Sequence, residues 1–169
     1  SYQHGQVGNT GFYSLRKDGA RCTIETLYKY HQKSLASKVI ESKAKAYPVA
    51  EYNNAVWWMN PLPFVQFRFV ILGVDPEYQW FVAGNPRRQS LWVLSRTPWM
   101  QSELWNSIMA IISSNGFDPK VVRRTLQPLP SPSDSSMPRC EGLGALLGWR
   151  TRVVNGTTAR LRRVGVVFA

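Results

Sequence analysis

The sequence predicts a mainly β chain: an antiparallel up-and-down barrel, whole or incomplete, with one packed α-helix and a C-terminal tail. Three observations predict it. Short runs rich in aromatic and β-branched residues recur with turn chemistry between them and no helix intervening, which indicates a barrel or sandwich. One amphipathic stripe at helical spacing follows those runs, and beyond residue 128 the chain turns abruptly to Pro and Ser. With 169 residues, 44% of them hydrophobic, the chain is long enough for one domain with a sizeable core.

Residues 1–10 are expected to be an N-terminal arm. Residues 11–15 and 21–27 are extended and joined by Arg16-Lys17-Asp18-Gly19, whose Asp-Gly pair signals a hairpin turn. Residues 39–46 form a weaker strand of alternating small and charged residues. Asn60-Pro61-Leu62-Pro63 separates strands 56–59 and 64–74. Strands 78–83 and 91–95 flank Gly84-Asn85-Pro86-Arg87-Arg88, a hairpin loop longer than two residues. The helix is expected over 102–114: Leu104, Trp105, Ile108, Met109 and Ile112 share one stripe, Ser102 caps the start, and Asn115-Gly116 supplies the stop. Residues 121–126 then read as a short last strand, so the barrel unit spans 11–127.

From Pro128 onward, Pro130, Pro132 and Pro138 interleave with Ser131, Ser133, Ser135 and Ser136, which is linker chemistry. The remainder of the 128–169 tail carries Arg150, Arg152, Arg160, Arg162 and Arg163 as candidate partner-binding residues. Residues 142–169 hold too few large apolar residues for a core, so they need an external surface or the open barrel edge to become ordered. They are expected to be disordered in the isolated protein, although the run Val164-Gly165-Val166-Val167-Phe168 has the composition to add a strand.

A net charge of +11 favours acidic partners: an anionic membrane surface, an acidic protein surface or nucleic acid. The cations are dispersed or paired, as at Arg87-Arg88 and Arg123-Arg124, with no nucleic-acid motif. Solvated loops and strand edges that resist edge pairing explain most of them. The two histidines, His4 and His31, stand beside no nucleophile or carboxylate pattern, and no metal spacing or phosphate loop occurs, so a non-enzyme is expected. No apolar run reaches the length of a membrane-spanning helix; the most apolar segment, 64–74, is broken by Gln66 and Arg68. The opening at Ser1 without Met leads us to expect a processed precursor. Cys22 and Cys140 form neither a metal site nor a disulfide framework; as residues they are two unrelated thiols or a pair.

The order Asp75, Tyr78, Gln79, Trp80, then Gly84, Asn85, Pro86, then Leu91, Trp92, Leu94, Ser95, Arg96, Thr97, Pro98 resembles the second and third motifs of the lipocalin family. The form is that of bacterial outer-membrane, plant temperature-induced and apolipoprotein-D-like members. Phe12-Tyr13-Ser14-Leu15-Arg16-Lys17-Asp18-Gly19 resembles the second strand of the same group, and the likeness covers residues 11–128. It implies a lipocalin-like barrel around a cavity for an apolar molecule, and a disulfide from an early strand to the C-terminal segment, here Cys22 to Cys140. One piece departs from the pattern. The family begins with a strand bearing Gly-x-Trp; residues 1–10 hold no Trp, and Gly148-Trp149 lacks the intervening residue. The first strand is therefore lost or replaced by another segment.

Within the resemblance, Arg96 points to the barrel floor as a plug stacked on an aromatic ring, and strand alternation places Trp92 and Leu94 on its inward face. Phe67, Phe69 and Ile71 share the apolar face of the preceding strand, with Trp57, Tyr78 and Trp80 as neighbours; together these eight are the candidate ligand-binding residues. Two functions follow. One is a lipocalin-like binding protein for a small hydrophobic molecule of the fatty acid, lysolipid, sterol or carotenoid class, with a bound lipid or pigment in place of a cofactor. The other is a non-catalytic accessory subunit of a large membrane-associated complex in a chloroplast or mitochondrion, whose degenerate barrel and basic tail dock onto protein subunits. The aromatic inner face favours the first, the missing strand and arginine-bearing tail the second.

Overall fold

The computed structural model describes residues 5–18, 21–128 and 164–168. Seven strands follow one another as an antiparallel meander: β1 (Gln6–Asp18), β2 (Arg21–Gln32), β3 (Val39–Pro48), β4 (Val56–Leu62), β5 (Val65–Val74), β6 (Trp80–Gly84) and β7 (Leu91–Ser95). Alone they would be an open half-barrel with β1 and β7 as free edges. The eighth strand, β8 (Val164–Phe168), pairs antiparallel with both edges and closes the barrel. Its register sets Gly165 opposite Thr10 on one side and opposite Ser95 on the other.

Alternation along the strands divides the apolar residues between two cores. Tyr13, Ile24, Ala44, Ala46, Trp57, Met59, Phe69, Phe81, Ala83 and Leu94 are buried inside the barrel. Ala44 and Ala46 are the buried residues of β3, and their small side chains leave room for the rings opposite. The second core lies outside the sheet, where helix α1 (Ser102–Ser114) sets Ile108 and Ile112 against Val82, Leu91 and Val93. The helix ends at Asn115, whose backbone N–H donates to Ile111 O, and Gly116 beyond it, at φ 79°, donates its N–H to Ser113 O.

Most turns follow the expected chemistry. Asp75 accepts from the backbone N–H of Glu77 (2.9 Å) and Gln79 (3.1 Å), and Asn85 Oδ1 accepts from those of Gln89 (2.8 Å) and Ser90 (3.1 Å), so each side chain shapes the loop that follows it.

Six expectations change. Residues 60–62, read as a separator, belong to β4. Ser102, read as the cap, is the first residue of the helix, whose N-cap is Gln101 with no side-chain bond. Residues 6–10, read as part of an arm, belong to β1, where a register shift between Val7 and Thr10 accommodates Gly8 at φ 63°. Tyr78, read as the start of a strand, sits in the turn at φ 56°, and β6 begins at Trp80. Residues 121–126 form no strand. Pro119 and the Asp118 carboxylate, which accepts from the Lys120 N–H, start a 3-10 turn (Pro119–Val121), and the following segment touches β1 through Leu126 O, which accepts from the Gly8 N–H at 2.7 Å. Residues 164–168, expected to be disordered, occupy the open barrel edge; the rest of the tail lies outside the described residues.

Candidate functional site: the barrel cavity

The strands enclose a cavity of about 530 Å³ at the end where β1 begins and β4 turns into β5. One wall is aromatic and apolar. Phe67 stacks on Trp92 with ring centroids 6.0 Å apart, Trp92 lies 5.1 Å from Phe69, and Met59, Leu94, Leu62 and Val65 complete this side. The opposite wall comes from β1 and β2: Gln6, Asn9, Thr10, Tyr13, Tyr28 and Tyr30. The Tyr13 and Tyr28 hydroxyls meet at 3.1 Å, and burial pushes both phenols above their ordinary range, Tyr13 the further. Both rings fit because β1 carries a glycine beneath them: a Cβ on Gly11 would lie 3.1 Å from Tyr13 and 3.3 Å from Tyr28.

The cavity ends on packed side chains. Trp57 is fully buried, stacked on Phe69 at 5.5 Å, with its indole N–H donating to Asn54 O at 2.7 Å. Phe81 lies edge-on to both Phe69 and Tyr13. Arg96 follows the inward residues Trp92 and Leu94, is 7% exposed, and donates from Nε to Tyr78 O at 2.8 Å. Burial lowers its pKa. The Arg96 guanidinium is thus anchored to a turn carbonyl, and among the described residues no aromatic ring stacks on it.

Of the eight candidate ligand-binding residues, Phe67, Phe69, Trp92 and Leu94 line the cavity. Trp57 and Ile71 pack with the inner core without reaching it. Tyr78 contributes a turn carbonyl to Arg96, and Trp80 packs against the outer core beside the helix. The register explains the last placement: Phe81 pairs with Leu94 on the inner face, so Trp80, opposite Ser95, faces outward. Sequence reasoning missed the polar wall. Tyr13 lay within the expected strand 11–15, and Asn9 shares its inward alternation, but Gly8-Asn9-Thr10 resembles a loop, and that hid Asn9.

Among the described residues, Lys29 is the one charged residue lining the cavity, and it forms an ion pair with Glu41 at 2.5 Å. Cys22 is partly buried against the inner core, whereas Cys140 lies outside the described residues, as do Arg150, Arg152, Arg160, Arg162 and Arg163. Among the described residues, no helix is long and apolar enough to cross a membrane.

Comparison with known proteins agrees with this architecture. The Lipocalin-like domain profile matches residues 1–127. The chain is 32% identical over 137 residues to temperature-induced lipocalin-1 of Arabidopsis thaliana, covering 78% of this chain and 72% of that protein. It is 27% identical over 117 residues to the outer membrane lipoprotein Blc of Escherichia coli K12, covering 69% of this chain and 64% of that one. Lobster apocrustacyanin A1 superposes with a TM-score of 0.45 at 13% identity, over 76% of this chain and 81% of that one. A profile spanning seven strands, the cavity and the helix leaves one assignment: the chain belongs to the lipocalin family.

Proposed function

We propose that this chain is a non-catalytic carrier that holds one small hydrophobic molecule, of the acyl-lipid, sterol or carotenoid class, inside the barrel. The observation that carries this reading is the roughly 530 Å³ cavity with an aromatic wall of Phe67, Phe69 and Trp92. That volume suits one small organic ligand. Affinity comes from removing apolar surface from water, worth about 25 cal/mol per Å², and the aromatic rings present that surface at little conformational cost. A membrane-peripheral location suits such cargo, since one relative is named an outer membrane lipoprotein.

The test is titration with diphenylhexatriene, an apolar probe whose fluorescence rises on burial. Saturable binding at one site is expected. Trp92→Ala should weaken it about tenfold or more, equivalent to about 1.4 kcal/mol, without changing the circular dichroism spectrum. Equal affinity in wild type and variant would move the site elsewhere. An absence of binding in both would favour a docking module.

A further inference from the structure

The two ends of the barrel differ in what they show to solvent. Leu62 and Val65 line the cavity and are nevertheless 58% and 46% exposed, so the mouth lies at the turn from β4 to β5. Between them Phe64 is 107% exposed, at φ 65°. A scattered apolar residue on a surface needs no explanation, but this one carries two costs at once: an unburied aromatic ring and a left-handed backbone that bulky L residues avoid. Pro61 and Pro63 stiffen the tip, so the ring is held outward without further ordering. Val39 and Ile40, at the same end where β3 begins, are also exposed. An apolar tip that water disfavours twice over points to a partner that covers it.

Charge says which partner. The connections at this end, 33–38, 63–64 and 85–90, hold Lys33, Lys38, Arg87 and Arg88 and no acid. All four cations are exposed, and among the described residues none forms an ion pair. Arg88 Nε donates to Asn115 O at 3.0 Å, which fixes that guanidinium at the rim. Glu41, near the start of β3, is paired with Lys29. The connections at the opposite end, 49–55 and 75–79, reverse the pattern, with Glu51, Asp75 and Glu77 and no Lys or Arg. A bilayer with acidic lipids supplies both halves of the match at every point of its surface: acyl chains for the ring and, above them, anionic phosphates for the cations. A protein partner would need a pocket placed for one projecting ring.

We propose that the open end of the barrel docks on anionic bilayers, with Phe64 among the acyl chains and Lys33, Lys38, Arg87 and Arg88 at the lipid phosphates. The acidic turns at the far end are then repelled from the surface, so charge sets the orientation as well as the contact. The docking surface stands without the carrier reading, yet the two fit together. Docked this way, the mouth faces the membrane, and an apolar molecule passes between the acyl chains and the wall of Phe67 and Trp92 with little exposure to water.

Flotation of the full-length chain with vesicles tests it, using phosphatidylcholine alone and phosphatidylcholine mixed with phosphatidylglycerol. The wild type should bind the mixed vesicles about tenfold or more tightly than phosphatidylcholine alone. Phe64→Gly suits the positive φ and keeps the turn, and it should weaken binding to the mixed vesicles about tenfold. Tyr52→Ser, which removes an exposed ring at the opposite end, should change it by less than about twofold. Reversing two rim charges, Lys38→Glu with Arg87→Glu, should weaken binding about tenfold or more, and the same net change on the outer wall of β3, Lys43→Glu with Lys45→Glu, should cost several-fold less. The wild-type comparison needs no variant, so it stands whether or not each one folds. Equal affinity for the two vesicles would overturn the proposal, as would wild-type binding by folded Phe64→Gly. Equal losses from rim and wall would overturn it too, assigning the attraction to net charge, and a rim reversal without effect would assign it to the tail. A wild type that floats with neither vesicle defeats it and leaves this face to a protein partner. No readout here involves cargo, so each of these failures leaves the carrier reading standing.

Discussion

At Gly84 the last residue of β6 meets the ring of Phe117, and a Cβ there would stand 2.5 Å from the ring's Cζ. The contact fastens the segment after the helix to the outer face of the sheet. Gly84→Ala is therefore expected to destabilise the fold by about 1–3 kcal/mol, read as a lower urea midpoint. In a Phe117→Ala background the same change should cost much less, because the obstructing ring is gone. Tyr13 makes a different residue-scale prediction. Burial raises its phenol well above the ordinary value of 10.0, so the unfolded chain ionises first as pH climbs. Its contribution is fully present below about pH 10 and is lost as pH rises through the folded value. Unfolding midpoints measured across that interval should fall with pH, and Tyr13→Phe, at a residue whose partner is the Tyr28 hydroxyl, should flatten the decline. An unchanged slope would mean that other groups drive it.

At the scale of elements, the closing strand is the feature that separates this chain from a linear meander. β8 comes from residues 164–168 yet lies between β7 and β1, pairing with both edges of the meander. A five-residue run with three valines has strand propensity, but no local rule names its partners, and 35 residues separate it from the end of the preceding described segment, which is why the sequence left an external surface and the open barrel edge as alternatives. The hairpins and helix were legible because their signals are local: Asp75, Asn85 and the Leu104-to-Ile112 stripe act over a few residues. The aromatic wall was legible for strands of regular register, giving Phe67, Phe69, Trp92 and Leu94. Where register depends on tertiary pairing the alternation slipped: Trp80 faces the helix, and Asn9 stayed hidden behind a glycine bulge. Deleting residues 164–169 should expose both edges. Hydrogen exchange is expected to accelerate in β7 at Trp92–Ser95 and in β1 near Thr10 and Gly11, with the β2–β3 ladder little changed. Unchanged protection at those edges would show that β8 contributes nothing to them.

For the molecule as a whole, the sheet serves two cores of opposite character. The helix covers its outer face at Val82, Leu91 and Val93, with Met100 and Met109 packed against that cluster, and its inner face surrounds a space that side chains do not fill, with Met59 at the cavity. Dense packing is the rule in protein interiors, so a cavity of about 530 Å³ lined by aromatic rings is kept for an occupant. The methionines report this division directly. In the protein labelled with ¹³C at the methionine methyls, titration with dodecan-1-ol should shift the Met59 signal saturably and leave those of Met100 and Met109 in place. A saturable shift of Met100 or Met109 with Met59 unmoved, or no saturable shift at any of them, would contradict a ligand held inside the barrel.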